Sequence, residues 1–512
     1  MVVLPDDVVG IVMHFLQDNW DDVLNVQLTC RWFRNAVRAT MGTWWTHLQL
    51  PCDTEDEQEP IIARRTRRAE KIVDLLTEHK PKFTYVSDEI VVLLQTGIDF
   101  QATMTEVVAP CMSNIVEQDF IIGEQCAVDL SCLRNIRHLT ISGEMPELLP
   151  PYLTSLDWSS LDATVDEEGW TKALSSATCI VELSLEDVHL ESLTPLSVLN
   201  NLQVLSIYNC YLQFLSLPST LESLYLKEIE WDDDEAVDGG LPNLRVFSVK
   251  DNLVDVVNLL GLFAPDNIEH LSISTIVTNV DQSSFRYDMT RFTKLRNLVL
   301  DVAAPADNFL RTVTPSLVML SLSGFDAVPE SASRLTGLRS LSLVHSRKDG
   351  PDIVDGWDAL CNIEYLTMHG INRVSPATVQ QFARLMPRLK GLSMTRWNAN
   401  HELITDVNWT KFGSLMYLYV HTHWDPAMTS LPPKLKRLSV DRLPTPGALA
   451  GAPDLECVFV CPFHDDRLDM PEGVRVVASN HHNNFCSSGA AIRETMPGDD
   501  PAPPFHNMAI AV

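Results

Sequence analysis

Leu199-Asn-Asn-Leu202-Gln-Val-Leu205-Ser-Ile207-Tyr-Asn-Cys210 places apolar residues at fixed spacings, and close copies recur from about residue 133 to residue 477. One copy constrains little. More than a dozen copies, each about two dozen residues from the next, cannot each close a core alone, so neighbouring units must stack and share one. The central positions are Leu139, Leu156, Leu183, Leu205, Leu224, Phe247, Leu271, Leu298, Leu320, Leu341, Leu366, Leu392, Leu418, Leu438 and Val458. An apolar residue precedes each by three positions. Another follows by two, from Ile141 and Trp158 to Val440 and Val460. A spacing of two sets both side chains on one face of a short strand. Stacked units therefore predict a parallel sheet, with the intervening segments returning along its other side.

The return segments are of two kinds. Leu217-Pro-Ser-Thr-Leu221, Leu431-Pro-Pro-Lys-Leu435 and Met470-Pro-Glu-Gly-Val474 are short and proline-containing, hence extended or turn-like. Ser375-Pro-Ala-Thr-Val-Gln-Gln-Phe-Ala-Arg-Leu-Met386 has a capping serine, a proline at the first helical position, and Val379, Phe382, Ala383 and Met386 on one face.

This pattern resembles that of leucine-rich-repeat proteins over roughly two thirds of the chain. It departs from the regular family in uneven unit length and in frequent loss of the asparagine or cysteine that ends the motif, kept at Cys210 and Asn252. The resemblance implies an α/β fold, a solenoid over residues 131–478 with a parallel sheet on its concave face.

The first fifty residues follow another pattern. Val8, Ile11, Val12 and Phe15 form a helical stripe after Leu4-Pro5 and the acidic pair Asp6-Asp7. Asp21-Asp22 can cap a second helix carrying Val23, Val26, Cys30, Phe33 and Val37. About forty residues cannot bury apolar surface on several sides alone, so a partner or the rest of the chain must cover it. Leu4-Pro5-Asp6-Asp7-Val8-Val9, then Leu16, Asp22-Val23-Leu24 and Thr29-Cys30-Arg31-Trp32-Phe33-Arg34, resemble an F-box over residues 1–50. The stretch from Leu16 to Asp22 is about two residues longer than the motif has, and the aromatic after Cys30-Arg31 is either Trp32 or Phe33. The resemblance implies that Leu4, Pro5, Leu16, Val23, Leu24 and Phe33 lie at or under the contact with a Skp-type adaptor, and through it a cullin.

Residues 51–130 open with the acidic run Asp53-Thr-Glu-Asp-Glu-Gln-Glu-Pro60 and continue as a helical or irregular cap with one or two degenerate units. Residues 479–512, rich in Ser, Asn, Gly and Pro, read as a disordered tail.

Charge and composition narrow the function classes. A formal net charge of -30 and a pI of about 4.8 repel nucleic acid, and the field favours a neutral or basic protein partner. No apolar stretch approaches the length that spans a membrane, and the first residues lack a secretory leader. The eleven cysteines show no disulfide framework, which points to the cytoplasm or the nucleus.

Between the two apolar residues of each strand stands an outward position, usually serine: Ser184, Ser206, Ser248, Ser272, Ser321, Ser342, Ser393 and Ser439. None has a histidine base fixed beside it, so small residues on a crowded face explain them better than nucleophiles do. Tyr225, Tyr419 and Phe459 break the rule at the centre. Tyr208, Tyr365, Tyr417, His369, His421 and Arg437 take the flanking outward positions. Tyrosine and arginine anchor protein interfaces. Tyr365, His369, Tyr417, Tyr419, His421, Arg437 and Phe459 therefore form a candidate cargo surface, the alternative being tyrosines that pack along the strand ladder.

Cys457, Cys461, His464, His481, His482 and Cys486 lack tight zinc-ligand spacing, and no metal or cofactor is expected. Arg64-Arg65-Thr-Arg67-Arg68 reads as a solvated helix face beside the acidic run. No Walker loop, dinucleotide motif or catalytic Cys/His signature is present. The two resemblances together imply a non-catalytic substrate-recognition adapter of a cullin–RING ubiquitin ligase, with a target protein held by the repeats. The alternative is a leucine-rich-repeat protein that binds or sequesters its partner without ligase activity.

Overall fold

The computed structural model describes residues 47–48, 77, 85–86, 100–112, 115–122, 128–160, 167–214, 217–231, 241–250, 265–275, 288–302, 307–323, 330–344, 360–369, 376–395, 407–421, 428–440, 444–460 and 474–478. The acidic run, the residues compared with an F-box (Leu4, Pro5, Leu16, Val23, Leu24 and Phe33 among them) and the tail from 479 lie outside the described residues. The chain divides into two compact units, Met1–Asn243 and Leu244–Val512.

In the first unit a two-residue pair, β1 (His47–Leu48) with β2 (Tyr85–Val86), precedes the main sheet. That sheet consists of β3 (Glu117–Ile122), β4 (His138–Gly143), β5 (Ser155–Ser159), β6 (Glu182–Glu186), β8 (Val204–Tyr208) and β10 (Ser223–Lys227), each parallel to its neighbours. A second parallel sheet joins β7 (His189–Ser192), β9 (Tyr211–Phe214) and β11 (Glu230–Trp231). In the second unit β12 (Val246–Lys250), β13 (His270–Thr275), β14 (Asn297–Val302), β15 (Met319–Ser323), β16 (Ser340–Val344), β17 (Tyr365–His369), β18 (Gly391–Thr395), β19 (Tyr417–His421), β20 (Arg437–Val440), β21 (Cys457–Val460) and β22 (Arg475–Ala478) pair parallel in chain order.

Register is what ties sequence to architecture. Within each unit, every central residue of the repeat aligns with the central residue of the next strand: Leu341 with Leu366, Leu366 with Leu392, Leu392 with Leu418. These residues are almost completely buried, as are those three positions earlier, such as Leu338, Ile363, Leu389 and Leu415. The period-two partners Leu343, Met368, Met394 and Val420 complete the column. Each fully buried side chain of this size contributes roughly 1.5–3 kcal/mol, so the column is the main source of stability. The first sheet begins at Glu117, ahead of residue 131, because Gln118 occupies the leucine row of β3. It is 1% exposed, and its amide donates to the Asp119 carbonyl at 2.7 Å. A polar residue at that place interrupts the apolar pattern.

The return segments follow local chemistry. The helix Pro376–Leu385 buries Val379 and Phe382, with Met386 just beyond. Helix Glu167–Ser176 buries Trp170, whose ring lies 5.9 Å from that of Trp158. Two short 3-10 turns, Met289–Arg291 and Trp409–Lys411, repeat one device: Asp288 and Asn408 each accept from the backbone N–H and the hydroxyl of the threonine two residues on. This Asx cap starts the turn that drives Phe292 or Phe412 into the core.

Three non-glycine residues adopt left-handed backbone at one equivalent corner: Asp187 (φ 57°), Asn209 (φ 48°) and Glu228 (φ 53°). They turn β6, β8 and β10 into β7, β9 and β11, and they bury the next residue, Val188, Cys210 or Ile229. The cysteine that survives from the repeat motif thus fills a corner; burial pushes its thiol up to about 11. Gly143 (φ 108°) ends β4, and a Cβ there would come within 2.0 Å of the Ile122 carbonyl oxygen.

These contacts set two stability expectations. Leu366→Ala should cost about 2–5 kcal/mol, read as a lower urea midpoint. Gly143→Ala should destabilise by about 2 kcal/mol or more, whereas Glu228→Gly should be neutral or stabilising within about 1 kcal/mol.

Candidate binding surface

Alternation along each strand leaves the first, third and fifth residues on the face of the sheet away from the leucine column. In β6, β8, β10 and β12 these outward positions are half-buried or exposed, between buried neighbours. Across β15–β20 the face is more crowded. Ser321, Ser342, Thr367, Ser393 and Ser439 are buried although they belong to the outward row. Small side chains are what such packing admits.

The aromatic residues stand at the edges of this crowded region. The first outward row reads Tyr365, Gly391, Tyr417, Arg437, Cys457 on successive strands. The second reads Thr367, Ser393, Tyr419, Ser439, Phe459, and the third begins His369, Thr395, His421. Hence β18 offers Gly391 and Ser393 at its first two outward positions, and it lies between β17 with Tyr365 and His369 and β19 with Tyr417 and Tyr419. Adjacent strands are about 4.8 Å apart, so Tyr365 and Tyr417 are separated by roughly 10 Å across a glycine. Tyr365, His369, Tyr417, Tyr419, Arg437 and Phe459 are all half-buried. His421 closes β19 in register with Thr395, and its side chain is outside those described. The structure therefore brings the candidate cargo residues onto one face of consecutive strands, with Phe459 two strands beyond Tyr419.

Electrostatics at this face are set by burial and by cations on the residues just ahead of each strand. Burial pushes the Tyr419 phenol up to about 12, against the lowering influence of Arg437. Burial also raises Tyr365, opposed by Lys390. Lys390 donates to Glu364 at 2.7 Å, and that bond holds its ammonium above the ordinary lysine range. Arg339 reaches the same carboxylate at 3.9 Å, and Lys436 pairs with Glu456 at 3.4 Å. The Thr367 hydroxyl is buried with no hydrogen-bond partner, a condition that costs about 1–3 kcal/mol. The outward serine row read from the sequence includes Ser393 but not Lys390, Gly391 or Thr367. A glycine where both neighbouring strands carry tyrosine was the available signal.

The first unit presents a different face. Glu117, Asp119, Asp157 and Glu182 share its outward rows with His138. Tyr208 and Tyr225 lie near its other end, where burial raises the Tyr225 phenol. Among the described residues no group of three or more His, Cys, Asp or Glu is arranged to hold a metal ion. Cys457 is buried, and Cys461, His464, His481, His482 and Cys486 are outside the described residues. Among the described residues no helix is long and apolar enough to cross a membrane.

No protein-family model matches the chain, and no curated protein does. Among solved structures the similarities are at low identity and low scores. A leucine-rich-repeat protein of Leptospira interrogans is 17% identical over 67% of this chain and 92% of that one, with a TM-score of 0.35. The plant peptide hormone receptor RGFR1, solved in complex with RGF2, is 12% identical over 80% of this chain and 75% of that one, with a TM-score of 0.31. TLR13, solved as a complex with ssRNA13, is 13% identical over 77% and 80%, with a TM-score of 0.35. At these scores the likeness decides nothing by itself. The in-register leucine column and the parallel pairing are the features of a leucine-rich-repeat fold.

Partial desolvation, then the carboxylates of Glu182 and Asp119, raise the Asp157 carboxyl above its usual range. A carboxyl raised in the folded state binds more protons folded than unfolded, so stability falls as pH rises from the unfolded value through the raised one. Asp157→Asn should therefore raise the melting temperature at neutral pH. The difference from wild type should shrink below pH of about 4, where both states are protonated.

Proposed function

We propose that this chain is a recognition adapter whose repeats hold a target protein and whose first fifty residues hold a Skp-type adaptor, and through it a cullin. The aromatic outward face of β17–β21 supports the first half, since half-buried tyrosines and an arginine on a rigid sheet provide large contact area at low entropic cost. The second half rests on sequence alone: the order Leu4-Pro5, Leu16, Val23-Leu24 and Phe33, together with apolar surface that so short a module cannot bury. The adapter performs no bond chemistry. It raises the local concentration of target lysines near a ubiquitin-conjugating enzyme. Such an assembly belongs in the cytoplasm or the nucleus, where the many cysteines stay reduced.

The same face would also serve a protein that sequesters its partner, and the adaptor distinguishes the two readings. Full-length chain should co-purify with the Skp-type adaptor and cullin, and Leu4→Ala/Pro5→Ala should abolish this. Failure of the wild type to bind adaptor ends the ligase reading and leaves the sequestering one. Tyr365→Ala/Tyr417→Ala/Tyr419→Ala should reduce target capture by roughly tenfold or more while adaptor binding persists. Unchanged capture would move the target site elsewhere.

A further inference from the structure

We infer that the edge of the second unit where β18, β19 and β20 begin docks an acidic segment of the target protein. This rests on the reading of the β17–β21 face as the target surface and names the chemistry of what meets its border. Residues 365–453 carry ten Lys and Arg against four Asp and Glu, a net of +6 inside a chain of -30. Six of these cations stand at strand starts: Arg388 and Lys390 before β18, Lys411 before β19, Lys434 and Lys436 before β20, and Arg437 as the first residue of β20. The four carboxylates, Glu402, Asp406, Asp425 and Asp441, lie outside the described residues. Parallel pairing sets the cations in rows. The Lys390 carbonyl accepts from the N–H groups of Met416 and Tyr417, and the Met416 carbonyl accepts from those of Lys436 and Arg437, so Lys390, Met416 and Lys436 stack on successive repeats. Two residues earlier Arg388, Ser414 and Lys434 hold equivalent places, where the Ser414 hydroxyl donates to the Pro387 carbonyl at 3.0 Å. Two strand spacings, roughly 10 Å, separate the β18 pair of cations from the β20 pair.

These cations are accessible. Arg388, Lys411 and Lys434 are exposed, and none of the three has an ion pair among the described residues. The side chains of Lys390 and Lys436 are 45% and 41% exposed, and they pair with Glu364 and Glu456 on the flanking repeats. Surface pairs of this kind are worth little, so a ligand carboxylate exchanges for either partner at small cost. Lys390 is within electrostatic reach of Tyr365 and Tyr417, and Arg437 of Tyr419, so the basic edge borders the tyrosines directly. The charge of the whole chain then selects among anions. A net -30 repels a long polyanion such as a nucleic-acid duplex, whose charge extends past this edge. At physiological salt charges act over about 8 Å, so a short acidic segment meets chiefly the local cations. Extended chain advances about 3.4 Å per residue, so carboxylates three residues apart span the roughly 10 Å between the two pairs.

The test follows the fluorescence anisotropy of three fluorescein-labelled probes with the full-length chain at physiological salt. They are a peptide with glutamate at every third position, the same peptide with glutamine in place of glutamate, and a single-stranded DNA oligonucleotide of equal charge. The glutamate peptide should bind at least about tenfold tighter than either of the others. Arg388→Glu/Lys434→Glu should weaken its binding by about tenfold or more. Arg245→Glu/Arg296→Glu makes the same charge change at exposed positions ahead of β12 and β14 and should shift the affinity by less than about twofold. Circular dichroism melting checks that each variant folds; Arg388→Gln/Lys434→Gln, with a loss of about threefold, replaces the first if it does not. Equal binding of the two peptides, equally tight binding of the oligonucleotide, no binding of the glutamate peptide, or equal loss in the two charge-reversal variants overturns the inference. So does self-association of the chain that Arg388→Glu/Lys434→Glu removes, since a second copy would then be the occupant. Failure of the target-surface reading appears separately, as target capture unaffected by the three tyrosine substitutions.

Discussion

Parallel pairing in strict register is the constraint on which the rest depends. A backbone carbonyl just ahead of each strand accepts two N–H groups from the next repeat, as Glu364 does from Lys390 and Gly391, and Lys390 from Met416 and Tyr417. That fork fixes where each strand starts. With the start fixed, alternation assigns every later side chain to the core or to the outward face. A slip of one residue would expose the leucine column and bury Tyr365, Tyr417 and Arg437. The candidate surface is thus the reverse side of the same alternation that builds the core.

Much of this was legible in the sequence because register and hydrophobic period carry the same information. All fifteen central positions, from Leu139 to Val458, stand in the second place of a strand. The helix at Pro376–Leu385 follows from its proline and its apolar face. What stayed hidden was local and polar. β3 carries Gln118 in the leucine row. The Asx-capped turns at Asp288 and Asn408 depend on a hydrogen bond from threonine, which an apolar period does not register. The corner at Asp187, Asn209 and Glu228 needs left-handed backbone with no glycine to announce it.

The candidate surface was legible to the same extent. Large residues at outward positions could be counted off once the period was known, which placed Tyr365, Tyr417, Tyr419, Arg437 and Phe459. Gly391 gains meaning only when register sets it between Tyr365 and Tyr417. Lys390 precedes the strand and so falls outside a reading confined to strand positions.

The register of β17, β18 and β19 is therefore the quantity to measure, by cysteine cross-linking with a short thiol-bridging reagent and peptide mapping of the product. Pairing of Tyr365 with Gly391 places their Cα atoms about one strand spacing apart, whereas Tyr365 and Thr395 are offset by four residues, roughly 13 Å along the strand. Tyr365→Cys/Gly391→Cys should cross-link between those two positions, and Tyr365→Cys/Thr395→Cys should not. A cross-link in the second variant, or none in the first when that variant is folded, would contradict the register and with it both the core column and the outward face.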